Sequence, residues 1–472
     1  MKKSILSDTF IPNWIVWSQA ICFSVLYAIW ALPETILVRH ICLIIGALLS
    51  LWIIYQNRHL FLQKCAIPIW LISALFAWVS FHLFFLSTDF AVQYEEYTSI
   101  WKRVALGTIF AIGFGIALSS LPREKDSTGR YLWVLMYLGL LAPTLIYIIK
   151  FILTNKAKQW GIVVPDYGVL YYGSAPYYLP KTAYVCFCLP TLGIALGQLV
   201  RNIHQHQIYK WGNVIYLVTI PAVLFVFYAE NIKNGMVYSA ALLLVFFGAI
   251  LFRSFSRHWA AKLVVVSVVL VIGSLFVVNS IQRNESWRAF IADAKVAADT
   301  QTYPQWKYNG AQGYPNNELG SMVSVTNYER LAWGKIGLKL IAQNPLGYGL
   351  VERSFGRLAK INWPDTNLHQ SHSGWIDLGL GIGVPGLLLI LGSLLLLLYQ
   401  LNFINRGPDI DAVGSHNLLK VAAQWALFSL LIMWCTTEIS QKIFFDDLIF
   451  WIALVGGVAL GLKRGGNKEL RP

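Results

Sequence analysis

Charge is scarce in this chain. Only 13% of its 472 residues are Asp, Glu, Lys or Arg, where an ordinary soluble domain has about 25%. A large soluble domain is therefore excluded. Cysteine is scarce as well: of six, Cys22, Cys42, Cys186 and Cys188 sit inside apolar blocks, Cys65 and Cys435 at block ends. None forms a pair in the polar connections, and the spacing of Cys186 and Cys188 puts them on different faces of a helix. All six read as free, small apolar fillers; a metal site is not expected, and no cofactor is called for. The chain has no repeat of fixed period and no low-complexity tract. Acid is the scarcer charge, 23 Asp and Glu against 37 Lys and Arg, a net charge of +14. Such a balance invites a nucleic-acid partner, but the placement of the basic residues argues against one.

What is present is apolar residue in long runs. Hydrophobic side chains make up 57% of the chain and mean hydropathy is +0.56. Blocks run over 14–32, 36–55, 66–86, 104–121, 131–153, 182–200, 211–228, 236–252, 263–281, 375–401, 421–435 and 448–462. A bilayer core of about 30 Å takes about 20 such residues as a helix, so these are about twelve spans. They are continuous, without the alternation of a membrane barrel. The first is too long and wrongly flanked for a cleaved leader. The expected fold is an all-α polytopic membrane protein: helices 1–9 over residues 1–281, a large loop with short helices over 282–374, and helices 10–12 over 375–472.

The basic residues fall at alternate span ends. Lys2 and Lys3, Arg58 and Lys64, Arg123 to Arg130, Arg201 and Lys210, Arg253 to Lys262, Arg406, and Lys463 to Arg471 share one side if spans are counted as above. The positive-inside rule makes that side cytoplasmic, with both termini. The other face collects the longer connections: 87–103 with its YEEY, 155–181, the AENIKN turn at 229–234, 282–374 and 436–447.

The large loop has internal order. Residues 283–299 read as an amphipathic helix with Trp287, Phe290 and Ile291 on one side. After a passage rich in Gly, Asn and Pro, Thr326 with Glu329 three residues on forms a capping box, so a helix should start at Thr326. Leu331, Ile336, Leu340 and Ile341 supply its stripe, and Asn344-Pro345 ends it. Arg330 then lies in its first turn, where the helix dipole disfavours a cation unless an anion is near or the side chain is exposed. The loop closes on NLHQSHSGWIDLGLGIGVPGLLLIL, residues 367–391. Gly379, Gly381, Gly383 and Gly386 offer a face for close packing, and Pro385 a kink. His372 and His369 stand at the mouth of the following span. Either suits a plain interfacial position, but His372, Arg330, Lys233, Lys102, Arg103 and Lys181 all fall on one face, and charged residues at membrane depth mark substrate paths.

Two motifs resemble the O-antigen ligase family, in a superfamily shared with O-antigen polymerases and bacterial protein O-oligosaccharyltransferases. His372 is followed eleven residues later by Gly383-Val384-Pro385-Gly386; the family's Asn after the His is Ser373 here. YERLAWGKIGLKLIAQNPLGYG, residues 328–349, resembles its Arg-containing helix and Pro-Leu-Gly-x-Gly turn. His416-Asn417 has the literal pair but lacks the Gly-x-Pro-Gly and falls on the cytoplasmic side. Where the family often has an outer Arg, this chain has Lys233, a point charge without the Arg fork.

The resemblance implies a GT-C-like glycosyltransferase of the bacterial inner membrane. It would move a glycan from undecaprenyl pyrophosphate to a lipid A-core hydroxyl at the periplasmic face, without metal or cofactor and with inversion. Its partners would be that donor, that acceptor and membrane lipid, with no nucleic acid. His372 would take the acceptor's proton, with His369 as second candidate. Arg330, Lys233, and Lys102, Arg103 or Lys181 would hold the departing diphosphate; of the outer carboxylates, Glu438, near a span end, is the first candidate to orient the base or hold Arg330, with plain solvated surface as the alternative. Polymerase and protein transferase differ only in the acceptor; a transporter, which would need charge arrays near mid-membrane in two related halves, fits least. The Tyr171–Tyr184 cluster reads as an interfacial belt or a sugar platform, and Glu95, Glu96, Asp446 and Asp447 mostly as solvated carboxylates.

Overall fold

Apolar blocks without alternation become helices because a bilayer core offers the backbone no water to bond, and the blocks of this chain do so. A computed structural model describes residues 11–120, 127–170, 181–207, 209–253, 267, 278, 289–403, 415–436 and 442–466. The helices of the first half are α1 (Asn13–Ile29), α2 (Ile36–Gln56), α3 (Ile67–Phe81), α4 (Phe90–Glu96), α5 (Lys102–Ser119), α6 (Ser127–Lys156), α7 (Lys181–His204), α8 (Val214–Ala229) and α9 (Lys233–Arg253). Four shorter ones follow: α10 (Phe290–Ala298), α11 (Val325–Gln343), α12 (Ser354–Asn362) and α13 (Gly374–Gly381). The chain then returns to the bundle as α14 (Gly383–Phe403), α15 (Ser415–Met433) and α16 (Lys442–Gly466). Among the described residues nine helical segments are long and apolar enough to cross a membrane, and two shorter apolar helices, Asn13–Ile29 and Asn417–Met433, join them. Together they match eleven of the twelve expected spans. The remaining one, 263–281, lies outside the described residues. The protein is a nearly all-helical, polytopic membrane protein.

Burial sorts the spans. Tyr184–His204 is wholly buried and Phe444–Lys463 94% buried, whereas Ile36–Gln56, Trp211–Ala229 and Gly383–Asn402 are one-third buried. The former are the bundle's centre, and the latter turn Leu37, Leu48, Leu217 and Leu388 outward. At the centre α5 and α16 pack backbone to backbone: a methyl on Gly115 would sit 2.3 Å from Leu454 O, and one on Gly457 2.2 Å from Ile112 O. Such approach is the use of small residues in membrane interfaces, where helices gain no hydrophobic drive against lipid. Some buried polar groups pair across helices: Gln19 Nε2 donates to Ser50 Oγ (2.7 Å) and Ser50 Oγ to Phe110 O (2.9 Å).

Several local expectations change. Residues 87–103 are not an irregular loop. Asp89 caps α4 by accepting from Val92 N–H, and a π-helical turn at Tyr97–Trp101 carries the chain straight into α5. Apolar Phe90, Tyr97, Ile100 and Trp101 make that continuation worthwhile, since Ile100 and Trp101 are buried. The span expected over 375–401 is broken. Gly383 takes φ +72° and separates α13 from α14, leaving Pro385 in the first turn of α14, where a missing N–H costs nothing. The broken backbone is resatisfied by the turn after α11: Tyr348 N donates to Leu380 O (2.9 Å), Gly349 N to Gly381 O (2.8 Å) and Val384 N to Pro345 O (2.8 Å). The glycines of the two motifs thus pack on each other.

Residues 289–374 fold as a cap with its own core, formed by Trp306, Tyr328, Trp333, Ile336, Leu340, Phe355 and Leu358 among others. α10 docks by a face other than the expected one: Ala292, Asp293, Val296 and Ala297 are buried while Phe290 and Ile291 are exposed, and Trp287 lies outside the described residues. The Asp293 carboxylate accepts from Asn317 Nδ2 (2.9 Å), Asn327 Nδ2 (2.9 Å) and Ser324 N (3.1 Å), charge-assisted bonds that add to the apolar contacts of that face. α11 begins at Val325 with Ser324 as its cap residue, not at Thr326, because Asp293 serves the free N–H and Glu329 turns inward. Arg330 is therefore in the second turn. Leu331 is exposed, the rest of its expected stripe is largely buried, and the helix ends at Gln343 as Asn344-Pro345 requires.

Gly347 has φ +82°, and a Cβ there would lie 2.4 Å from Gly383 N. Gly347→Ala should destabilise the protein by roughly 1–3 kcal/mol, seen as a lower midpoint of thermal unfolding in detergent. Gly212→Ala, with open space around it, should leave the midpoint unchanged. Equal midpoints for both variants would contradict the packing described.

Candidate functional site

The cap meets the bundle where α9, α11 and the turn after α15 converge. α11 presents Glu329, Arg330 and Trp333, which the helical period gathers to one side. Arg330 Nη1 donates to Asn234 Oδ1 (2.6 Å), and Asn234 Nδ2 donates to Thr436 O (3.0 Å). The hydroxyls of Tyr238 and Thr436 are also bonded. Asn234 is the second residue of α9, directly after Lys233, so the turn bearing Lys233 is tied to the helix bearing Arg330.

Glu329 is buried at 7% exposure and accepts from Tyr314 Oη (2.5 Å). Burial lifts its pKa above the ordinary carboxyl value; the Tyr314 hydrogen bond and the charges of His372 and Arg330 pull it back part of the way. Burial, then the bond to Glu329, pushes the Tyr314 phenol up in turn, so Tyr314 keeps its proton and serves as donor. Glu329 is a carboxyl group within electrostatic range of Arg330, and with Arg330 in the second turn the helix dipole no longer weighs against its charge.

His372 lies face to face on Trp333, ring centroids 5.1 Å apart and planes at 11°. Its backbone is left-handed, φ +60°, a conformation that non-glycine residues adopt at a cost. The turn is held from behind. Asp377, buried on α13, accepts from Ser371 N (2.8 Å), and Gly374 is packed on Trp434 so closely that a methyl would lie 2.3 Å from its ring. Trp375 N donates to Trp434 O (3.2 Å). The left-handed turn and the Trp333 indole both help to place the imidazole.

The structure thus brings together His372, Arg330 and the Lys233 turn. It does not add all the other expected residues. His369 is exposed, its backbone packed under Gly356. Arg103 forms an ion pair with Asp446 (Nε–Oδ2 3.4 Å), with Arg39 in electrostatic range of both, and Lys102 is exposed beside it. These residues make a second basic group, at the starts of α2, α5 and α16. Lys181 opens α7, but its side chain lies outside the described residues, as do Glu438 and Tyr171 to Leu179 of the aromatic cluster. Tyr184 is core: it is 2% exposed and donates to Pro143 O (2.5 Å). Two carboxylates expected to be solvated are buried: Asp447 at 1% exposure, and Glu96, whose oxygens accept from Val351 N (2.5 Å) and Glu352 N (3.1 Å). Among the described residues no group of three His, Cys, Asp or Glu has metal-site geometry.

Sequence reasoning missed Asn234, Tyr314 and Trp333, and read Glu329 only as a cap. Asn234 follows the suspected Lys233, and Trp333 stands at i+3 from Arg330, so spacing pointed to both. Tyr314 lies in an irregular passage with no periodicity to place it.

A family profile described as O-antigen ligase matches residues 217–391. The match begins inside α8, ends inside α14 and includes Lys233, Asn234, Tyr314, Glu329, Arg330, Trp333 and His372. The chain carries an O-antigen ligase family domain. A search of curated proteins finds no match to the chain. The family is one of glycosyltransferase-like membrane enzymes, and the matched stretch holds Arg330, His372 and most of the residues around them, whereas Trp434 and Thr436, and the second group of Arg39, Lys102, Arg103 and Asp446, lie outside it.

The lifted pKa of Glu329 has a consequence. A carboxyl whose folded pKa exceeds its unfolded value stabilises the fold at low pH, and that contribution is lost as pH rises through the folded value. Glu329→Gln should therefore flatten the fall in thermal midpoint above the ordinary Glu value of 4.5, measured from about pH 4 to about pH 8. Parallel curves for the two proteins would contradict the assignment.

Proposed function

We propose that the protein is an O-antigen ligase, transferring a glycan from a polyprenyl diphosphate to a sugar hydroxyl of lipid A core. The observation that carries this reading is that the His372 imidazole stacks on α11, the helix of the family domain that carries a hydrogen-bonded guanidinium, Arg330, and a buried carboxyl group, Glu329. The acceptor oxygen attacks the anomeric carbon as the carbon–oxygen bond to the diphosphate breaks. The acceptor's proton passes to the His372 imidazole, the side-chain type that serves most often as a general base. The resulting imidazolium faces the Glu329 carboxylate. The diphosphate leaves with its own negative charge, so it needs cations more than a general acid; Arg330 and Lys233 supply them. Direct displacement inverts the anomeric centre. The donor is undecaprenyl pyrophosphate, the membrane is the bacterial inner membrane, and the site opens to the periplasm, as the placement of basic residues at alternate span ends supports. Polymerase and protein transferase chemistry would use the same cluster with another acceptor.

A deletion strain tests the acceptor. Loss of polymer from lipid A core, with lipid-linked polymer accumulating, is the expected result. Single-repeat caps would mean a polymerase, and unglycosylated pilin with normal lipopolysaccharide a protein transferase. For the residues, His372→Asn keeps a side chain that tolerates left-handed backbone and should lower transfer about 10²–10⁴-fold with protein level and thermal midpoint unchanged. Wild-type transfer by this variant would refute the base assignment. Arg330→Lys keeps charge without the fork and should retain part of the activity that Arg330→Ala loses. Product NMR showing retention would exclude the single displacement.

A further inference from the structure

α11 has a second working side. Lys335 and Lys339, one turn apart, project opposite to Arg330 and line a cleft of the cap, about 650 Å³ in volume, within the range of small-molecule sites, about 300–1,000 Å³. Trp306, Trp363, Lys307 and Asp299 complete its walls. The two indoles meet edge to face with centroids 5.0 Å apart, and Lys307 Nζ stands 5.7 Å from the centre of each. Three ammonium groups against one carboxylate leave an excess of two positive charges in a concavity with aromatic walls. Among the described residues none of the three lysines has a carboxylate within ion-pair distance. Lys335 Nζ instead donates to Ala298 O (2.6 Å), and Lys335 and Lys339 are exposed.

We propose that this cleft is a subsite for an acidic sugar of the transferred or receiving glycan, a ring bearing a carboxylate or phosphate. The half-buried Trp363 indole, backed by the buried Trp306, takes the apolar C–H face of a pyranose, its negative π-cloud meeting the slightly positive hydrogens. The lysines take the anionic substituent as point charges that need no fixed approach, and Asp299 accepts from ring hydroxyls. A neutral sugar leaves the charge unused, and an acyl chain leaves both charge and hydroxyl partners unused. The cleft is wired to the reaction cluster: Trp333, on which His372 stacks, donates its Nε1 to Trp306 O (2.8 Å). The role as a glycan subsite rests on the transferase reading above; the anion preference does not.

Calorimetric titration of the full chain in nanodiscs tests it, with a galacturonic acid hexamer and a phosphorylated mannose oligomer as acidic probes and their uncharged counterparts as controls. At least one acidic probe should bind about tenfold more tightly than its neutral counterpart, the scale of two partly exposed ion pairs, and added salt should erase the difference. Lys335→Gln/Lys339→Gln should bring the acidic probe to the neutral level. Lys339→Gln alone, at an exposed position that cannot unfold the cap, should move it the same way. Trp363→Ala should weaken every probe, and His372→Asn should change none. Equal binding of acidic and neutral probes, or wild-type affinity in the lysine variants, overturns the subsite. Retained acidic binding in a protein that shows no glycan transfer counts against the transferase reading alone.

Discussion

Backbone amides and carbonyls in a bilayer must be paired from within the protein, and this chain breaks a helix at the membrane's edge. Between α13 and α14 the ladder is interrupted at Ile382 and Gly383, and the groups set loose are taken up by residues 345–349 through three backbone hydrogen bonds. That pairing needs bare backbone on both sides, which is why Gly347 and Gly383 face each other at a spacing no side chain permits. It also sets the exit of α11 against the entry of α14. The helix carrying Arg330 and the turn carrying His372 are thereby brought to one place by main-chain bonding, before any side chain of the cluster is considered.

Within that frame the cluster is arranged by burial. Glu329 is held away from water beside Arg330 and His372, with a phenol as its donor. In such surroundings charges act on one another with less screening than at a surface, so the imidazole and guanidinium feel a field fixed by the fold. The Trp333 face restricts the ring without competing for its nitrogens.

The helical bundle was legible in the sequence because its signal is long: blocks near twenty residues, with basic residues at alternate ends, have one economical arrangement. Arg330 and His372 were legible through short motifs, and so was the end of α11 at Asn344-Pro345. What could not be read was set by single buried polar groups. Asp293 is buried on the unexpected face by which α10 docks and moved the start of α11 by one residue. Glu96 was indistinguishable in sequence from its solvated neighbour Glu95, yet it binds two backbone N–H groups more than two hundred residues away. Asn234 matters through Arg330, a pairing across the length of α10 and the whole loop before α11. None of these has periodicity; each depends on which distant backbone arrives beside it.

The two cores of the molecule share α13. Leu378 belongs to the bundle and Leu380, two residues on, to the cap, with Ile382 again in the bundle. A helix of eight residues is therefore gripped from both sides, like a pin through two plates. Neither plate can slide without turning the pin, and the imidazole sits two residues before its head. A shift of one core against the other would therefore displace the turn that bears His372 as well.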